Sequence, residues 1–219
     1  MQKKVELLED LKVQVKEQYL DNLILTTSSG RQCIIDSLKK INIIPGLVLS
    51  VDIDTIPVKG ELPQEFSMRM AYSKSHKIHR DMPDHFVFGV ETIIACGRRI
   101  LIQAKDIMQA EQYLRLLSGR RHRIYTSICL FTPKKLKKQH NKTVMSIVKF
   151  KHLSEQEIQF YLNSGEWKNM IGGYDIYGLA GMFILFIRGS YSAISGLPLH
   201  EIYYLLNNYF NILSVKSLI

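Results

Sequence analysis

The run Phe86-Val87-Phe88-Gly89-Val90-Glu91-Thr92-Ile93-Ile94-Ala95 sets the strongest constraint on how this chain folds. It is the most strand-like stretch of the sequence, rich in aromatic and β-branched residues and bounded by Pro83-Asp84 and Cys96-Gly97-Arg98. One residue is out of keeping with it. Glu91 puts a carboxylate inside an otherwise apolar strand, and acids are rarely buried unless paired or metal-bound. Such an acid either holds a divalent cation or activates a water, or it faces solvent at an edge or pairs with an arginine.

Helices and strands alternate around that run. Residues 3–20 place Leu8, Leu11, Val15 and Tyr19 at helical spacing with charges between them, which predicts a surface amphipathic helix. Asn22 to Thr26 reads as a short strand, then the polar turn Thr27-Ser28-Ser29-Gly30 leads to a helix over Arg31 to Lys40 with Ile34, Ile35 and Leu38 on one face. Leu47 to Ile56 reads as a strand, and a turn around Gly60 and Pro63 leads to a helix over about residues 64–79. Ile107 to Leu117 reads as a helix stopped by Ser118-Gly119. Arg123 to Phe131 and Val144 to Phe150 read as two strands joined by a lysine-rich turn. Ser154-Glu155-Gln156-Glu157 is a capping-box start for a helix running to Asn163. Met182 to Ile187 reads as a buried strand, and Gly196-Leu197-Pro198 opens a final helix. The class is α/β or α+β, without internal repeats or a flexible linker.

At 219 residues the chain suits one large domain or two closely joined lobes. Its 46% hydrophobic and 22% charged residues exclude a disordered chain, and its 13 Gly and 6 Pro show no collagen period. A formal charge of +9 favours nucleic acid, phosphates or an anionic surface as partner. Cys33, Cys96 and Cys129 are odd in number and far apart, which is neither a disulfide framework nor a zinc knuckle. They predict reduced thiols in a cytoplasmic protein. No signal-peptide pattern opens the chain, and the apolar stretch Ile176 to Ile187 falls short of the roughly 20 residues that span a bilayer, so no membrane partner is expected.

Several smaller features carry two readings each. The segment Leu25 to Arg31 is strand, serine-rich turn and helix start, which makes either an anion site or a plain N-cap. Asp52 and Asp54 lie two apart on the predicted strand, as half of a hard-cation site or as a polar strand end. The stretch His76 to His85 meets no familiar metal spacing, because Lys77 and Arg80 interleave its histidines, and it reads as a solvated helix end. The turn with Lys134, Lys135, Lys137, Lys138 and Lys142 holds five of the surplus charges but no interleaved aromatic. Stacking on bases is therefore not expected of it, and nucleic acid is set aside as a partner.

Read together, five stretches resemble one family. LTTSSGRQ, Leu25 to Gln32, resembles a serine-x-serine-proline-arginine-arginine loop. VDIDTIPVKGELP, Val51 to Pro63, follows, with Arg69-Met70-Ala71 and Lys74 downstream. FGVETIIACGRRIL, Phe88 to Leu101, resembles a strand with a glycine-alanine-aspartate-threonine motif. LLSGRRHRIYTSI covers Leu116 to Ile128, and YLNSGEW, GGYDIYG and GSYSAISGLPL run from Tyr161 to Leu199. The family is that of the Maf, or septum-formation-inhibitor-like, nucleoside triphosphate pyrophosphatases of the ITPase-like superfamily. The resemblance runs from about Leu23 to Leu205.

The resemblance implies a curved mixed β-sheet flanked by helices, with two lobes around a central cleft. It implies a single domain over residues 22–219, in a family whose members are often homodimers, and leaves residues 1–21, read above as a helix from their spacing, as an N-terminal extension. It implies cleavage of a nucleoside triphosphate into monophosphate and diphosphate with a divalent cation such as Mg or Mn. A use in removing non-standard or modified nucleotides, and a link to division arrest, come with it. Mapped onto this chain, Glu91 stands at the catalytic aspartate, Lys74 is a catalytic residue that holds phosphate, and Ser29 and Arg31 hold phosphate too. Asp54 and Glu91 are the implied metal ligands, and Gln103, Lys105 and Tyr177 the remaining substrate contacts.

The site also departs from the family pattern. Gly30 and Gln32 replace the loop proline and second arginine, Thr55 a glutamate, Glu91 the aspartate and Gln103 a lysine. Lys105, two residues on, reaches the same strand face as Gln103. Tyr177 replaces a glutamine and Ala193 an asparagine. A working pyrophosphatase with an altered site is the first reading. A catalytically impaired homologue that binds nucleotides or a division partner is the alternative.

Overall fold

The structure, a computed structural model, describes residues 18–27, 32–210 and 212. Its strands are β1 (Gln18–Thr27), β2 (Ile43–Ser50), β3 (Phe86–Cys96), β4 (Arg99–Leu101), β5 (Arg121–Phe131), β6 (Gln139–Phe150) and β7 (Ile184–Arg188). Its helices are α1 (Gln32–Lys39), α2 (Pro63–Asp81), α3 (Ile107–Leu117), α4 (Glu155–Ser164), α5 (Tyr191–Ile194) and α6 (Leu199–Asn207), with a 3-10 turn at Leu179–Phe183. The class is mixed α/β, as expected.

One seven-stranded sheet runs in the order β2-β1-β3-β5-β6-β7, with β4 hairpinned onto the end of β3. β2, β1 and β3 are parallel, so their connections must cross over, and α1 and α2 serve as those crossovers. From β3 through β7 all pairings are antiparallel. The apolar run from Phe86 occupies β3, between β1 and β5.

The pleat of β3 divides its side chains between two layers. Phe88, Val90 and Ile94 face one side, where two apolar cores lie end to end. One core joins Phe88, Val90, Ile128 and Leu130 to α1 and α6. The other joins Ile94 and Ile124 to α3, α4 and the 3-10 turn. Between them sits a polar seam: Thr92 Oγ1 lies 3.0 Å from Thr126 Oγ1, and the Thr126 hydroxyl donates to the Ala193 carbonyl at 2.7 Å. Val87, Gly89, Glu91 and Ile93 face the opposite side, under α2. Val87 and Ile93 meet Ala71, Phe66 and Met70 there.

Gly89 lets α2 come close. A Cβ at that position would lie 2.5 Å from the Ala71 carbonyl oxygen and 2.9 Å from Ser75 Oγ. Cys96 and Cys129 are free thiols buried in these layers, and burial pushes the Cys129 thiol up to about 11.

Three predicted elements need correction. Gln18 to Leu20 are strand, not the end of a helix, and residues 1–17 of that predicted helix lie outside the described residues. The second strand covers Ile43–Ser50 rather than Leu47 to Ile56. It runs through Pro45 because it is the edge strand, where a missing N–H is tolerated. Asp52 and Asp54 therefore lie in irregular chain and not on one strand face. Finally, Met182 is not in a strand. β7 begins at Ile184 as the opposite edge, and Leu185, Phe186 and Ile187 are exposed rather than buried, because among the described residues β7 pairs with β6 alone.

Candidate active site

The site is built from one helix face against one strand. Pro63 starts α2, and the Glu65 carboxylate accepts the Leu62 N–H at 3.0 Å, closing its first turn. Phe66, Ser67, Met70, Ala71, Lys74 and Ser75 form its buried stripe at helical spacing. The stripe is apolar except where it crosses the middle of β3 and β5. There Lys74 Nζ donates to Glu91 Oε2 as an ion pair. The lysine side chain is 1% exposed and the glutamate 12%. Of the readings open for Glu91, the structure gives an ion pair, with a lysine in place of an arginine.

A second polar contact flanks the pair. Ser127 is the register partner of Glu91 on β5, so it faces α2 as well. Its Oγ lies 2.7 Å from Ser67 Oγ and 2.7 Å from Thr143 Oγ1 of β6. Together with Thr92 and Thr126 these hydroxyls form a polar belt across both faces of the sheet at the level of Glu91. The sequence reading missed Ser67, Thr126 and Ser127. The signal was present in Thr126-Ser127, which interrupts an apolar strand, but only the register shows that it lies opposite Glu91.

The segment from Val51 to Leu62 is pinned to α2. Arg69 donates from Nε to Glu61 Oε1 at 2.6 Å and from Nη2 to Glu61 Oε2 at 2.8 Å, and Nη2 also donates to the Ile56 carbonyl at 3.0 Å. That fork holds the Glu61 carboxyl below its ordinary range. Lys77 Nζ donates to the Asp52 carbonyl at 2.8 Å. The Asp54 side chain is exposed and accepts the Ile56 N–H at 2.9 Å, which caps a local turn.

The other predicted residues are spread more widely. Ser29 and Arg31 lie outside the described residues. Gln103 is exposed, bridges to Ile171 and donates to the Asn169 side chain at 2.9 Å. Lys105 is exposed in the turn before α3, where its backbone N–H donates to Gln109. The Tyr177 hydroxyl is hydrogen-bonded to Ser195 Oγ, and its ring stands edge-on to Tyr191 at 5.9 Å. Tyr177 and Ser195 thus tie the turn after Tyr174 to the end of α5, beside the Ala193 carbonyl that the polar seam reaches.

Among the described residues no three His, Cys, Asp or Glu side chains come together as a metal cage. Magnesium, however, is commonly held by one or two carboxylates with the substrate's phosphates and water completing its shell. Glu91, anchored at the centre of the polar belt, fits that single-carboxylate role.

A family model described as Maf-like protein matches residues 22–209. The dTTP/UTP pyrophosphatase of Wolbachia sp. subsp. Brugia malayi (strain TRS) is 63% identical over 196 residues, which is 90% of this chain and 98% of that protein. The nucleoside triphosphate pyrophosphatase of Ehrlichia chaffeensis (strain ATCC CRL-10679 / Arkansas) is 48% identical over 192 residues, 88% of this chain and 98% of that one. The solved structure of the Staphylococcus aureus Ham1 protein covers 58% of this chain and 71% of its own, with 16% identity and a TM-score of 0.40.

Proposed function

The chain belongs to the Maf-like protein family, and from that membership we propose that it is a nucleoside triphosphate pyrophosphatase acting on the triphosphates of thymidine and uridine. The enzyme class follows the names of relatives at 63% and 48% identity, and the pyrimidine preference follows the first of them. The single observation that carries the reading is the Lys74–Glu91 pair, buried at the only charged level of an apolar strand.

In the reaction a water oxygen bonds to the α phosphorus and the bond from that phosphorus to the bridging oxygen breaks. Diphosphate leaves and the nucleoside monophosphate remains. Glu91 takes the proton of the attacking water, and Lys74 fixes the orientation of its carboxylate. Ser29 and Arg31 bind phosphate oxygens, with Lys105 and Gln103 as further contacts at the triphosphate end. Tyr177, locked by Ser195, lies against the base. Glu91 would hold a divalent cation such as Mg or Mn, which when bound neutralises charge on the phosphates; Asp54, exposed and capping its own turn, is not drawn to it. The biological role is removal of modified or unwanted nucleotides before they are polymerised, in the cytoplasm.

The test is diphosphate release from dTTP, UTP, the purine triphosphates and modified pyrimidine triphosphates, with Mg²⁺ or Mn²⁺ and with a Glu91→Gln control. Turnover of dTTP and UTP that the control abolishes supports the reading. Nucleotide binding without release above the control would replace it with the catalytically impaired homologue.

A further inference from the structure

The fold joins two basic stretches that are far apart in sequence. The Lys134 N–H donates to the Pro83 carbonyl at 2.8 Å, which seats the β5–β6 turn against the chain leaving α2. Phe131, at the root of that turn, stacks on His79 with ring centres 4.9 Å apart and lies 5.6 Å from Tyr72. Tyr72 in turn stacks on His76 at 5.3 Å with the rings 11° from parallel. The aromatic surface that the lysine-rich turn lacks in sequence is therefore supplied by α2.

A groove lies beside these rings. Because α2 covers β3 and β5, the start of β6 is left as an open ledge, and Gln139, Asn141 and Lys142 on it are exposed. Helix and ledge border about 730 Å³, lined by Gln64, Glu65, Met68, Arg69 and Tyr72 of α2 and by Asn141, Lys142 and Thr143 of β6. Its walls thus offer two amides, the apolar Met68 and an aromatic ring that is 37% exposed, with Lys142 as a cation, Arg69 held by Glu61 and the Thr143 hydroxyl held by Ser127. Tyr72 in its wall lies 5.6 Å from Phe131, at the root of the exposed turn with Lys134, Lys135, Lys137 and Lys138. No Asp or Glu occurs anywhere between Glu111 and Glu155, so the whole β5–β6 hairpin is cationic. Three acids lie close by: Asp81 pairs with Arg80, Glu65 caps α2 from the groove wall, and Asp84 is exposed beside the Pro83 contact, so five lysines face three carboxylates.

We propose that this ledge binds single-stranded nucleic acid, with the lysines of the β5–β6 turn on the phosphates and a base stacked on Tyr72 in the groove. Charge complementarity selects a polyanion, and lysines spread along the turn span more phosphates than one nucleotide carries. The stacked ring and the paired amides select bases over a bare anionic surface. The site lies between α2 and the start of β6, and its occupancy does not require turnover at Glu91.

Fluorescence anisotropy of the full chain with labelled oligouridylate and oligothymidylate tests this. Binding should weaken with salt between about 50 and 200 mM, with a log–log slope near −3 if four phosphates are neutralised, at about −0.7 each. Replacing Lys134, Lys135, Lys137 and Lys138 together by Gln should lower affinity at least about tenfold and flatten that slope, leaving dTTP hydrolysis unchanged. Tyr72→Ala should weaken binding about tenfold with the slope unchanged, and Tyr72→Phe should restore it. The proposal is overturned by no binding at about 50 mM salt or by binding that the four-lysine variant retains. It is also overturned by full competition from dTTP, by equal competition from inorganic polyphosphate with Tyr72→Ala silent, or by tighter binding to phosphatidylserine vesicles.

Discussion

Lys74, in the middle of α2, donates its ammonium to the Glu91 carboxylate at the centre of β3, and both side chains are largely withdrawn from water. Removing an ion from water is costly unless a partner meets it, so each charge here is a condition for burying the other. The pair exists because the helix lies low on the sheet. That in turn rests on Gly89, two residues before Glu91 on the same face.

Separating the two charges should hurt both stability and function. Glu91→Ala leaves the ammonium without its carboxylate and should cost about 3 kcal/mol in urea unfolding. Diphosphate release should fall at least about a hundredfold. The double variant Lys74→Met with Glu91→Leu removes both charges and should recover most of the stability while remaining inactive. If the double variant is as unstable as the single one, the pair is not the source of the loss.

Gly89→Ala tests the approach of α2 independently. The new Cβ would sit 2.5 Å from the Ala71 carbonyl oxygen, a backbone atom that cannot step aside alone. The helix must lift, which should cost about 1–3 kcal/mol. A shift of about 1 Å between Lys74 and Glu91 should also lower kcat about a hundredfold. Unfolding midpoint and kcat measured on one preparation would separate this from a purely local strain, which would leave kcat alone.

These relationships were unequally legible in the sequence. Glu91 stood out because an acid in an apolar strand is an anomaly wherever the strand packs. Its partner was not legible: the resemblance gives Lys74 as a phosphate contact, and helical spacing shows that Lys74 shares a stripe with Ala71 and not which strand that stripe meets. Asp52 and Asp54 were misplaced for a related reason. An alternating pattern over Leu47 to Ile56 reads as strand, but after Ser50 the chain is taken up by tertiary contacts to Arg69 and Lys77. The same holds for β7, whose apolar residues read as buried although no layer of the described residues covers that edge. The capping box at Ser154 and the stop at Ser118-Gly119 depend on adjacent residues only, and both are found where expected.

The Arg69–Glu61 fork should set how firmly the Asp52 to Leu62 segment is held. Arg69→Ala removes two charge-assisted hydrogen bonds to Glu61 and the one to the Ile56 carbonyl. Because the arginine is 34% exposed, the global cost should be only about 1 kcal/mol. The local effect should be larger, with cleavage by a broad protease within residues 52–61 becoming several-fold faster. Unchanged cleavage would show that Lys77 and the Asp54 turn hold the segment without the fork.

His122 should make the fold sensitive to mild acid. It is buried against Phe150 and Tyr174, and its Nε2 lies 2.7 Å from the Tyr174 hydroxyl. Burial lowers the imidazole from 6.5 to about 4, so the ring is neutral in the native protein. In the unfolded chain it protonates near 6.5, and between those values the unfolded state binds more protons. Stability therefore rises with pH across that window and is lost as pH falls from about 6.5 towards about 4. The contribution at stake is about 3 kcal/mol, reduced in so far as water reaches the ring. His122→Gln carries no titrating group there, so the difference in unfolding free energy between wild type and variant should shrink by that amount from pH 7 to pH 4. A difference that stays constant over the range would mean that the ring titrates alike in both states, and that the neutral, buried imidazole is not what acid attacks.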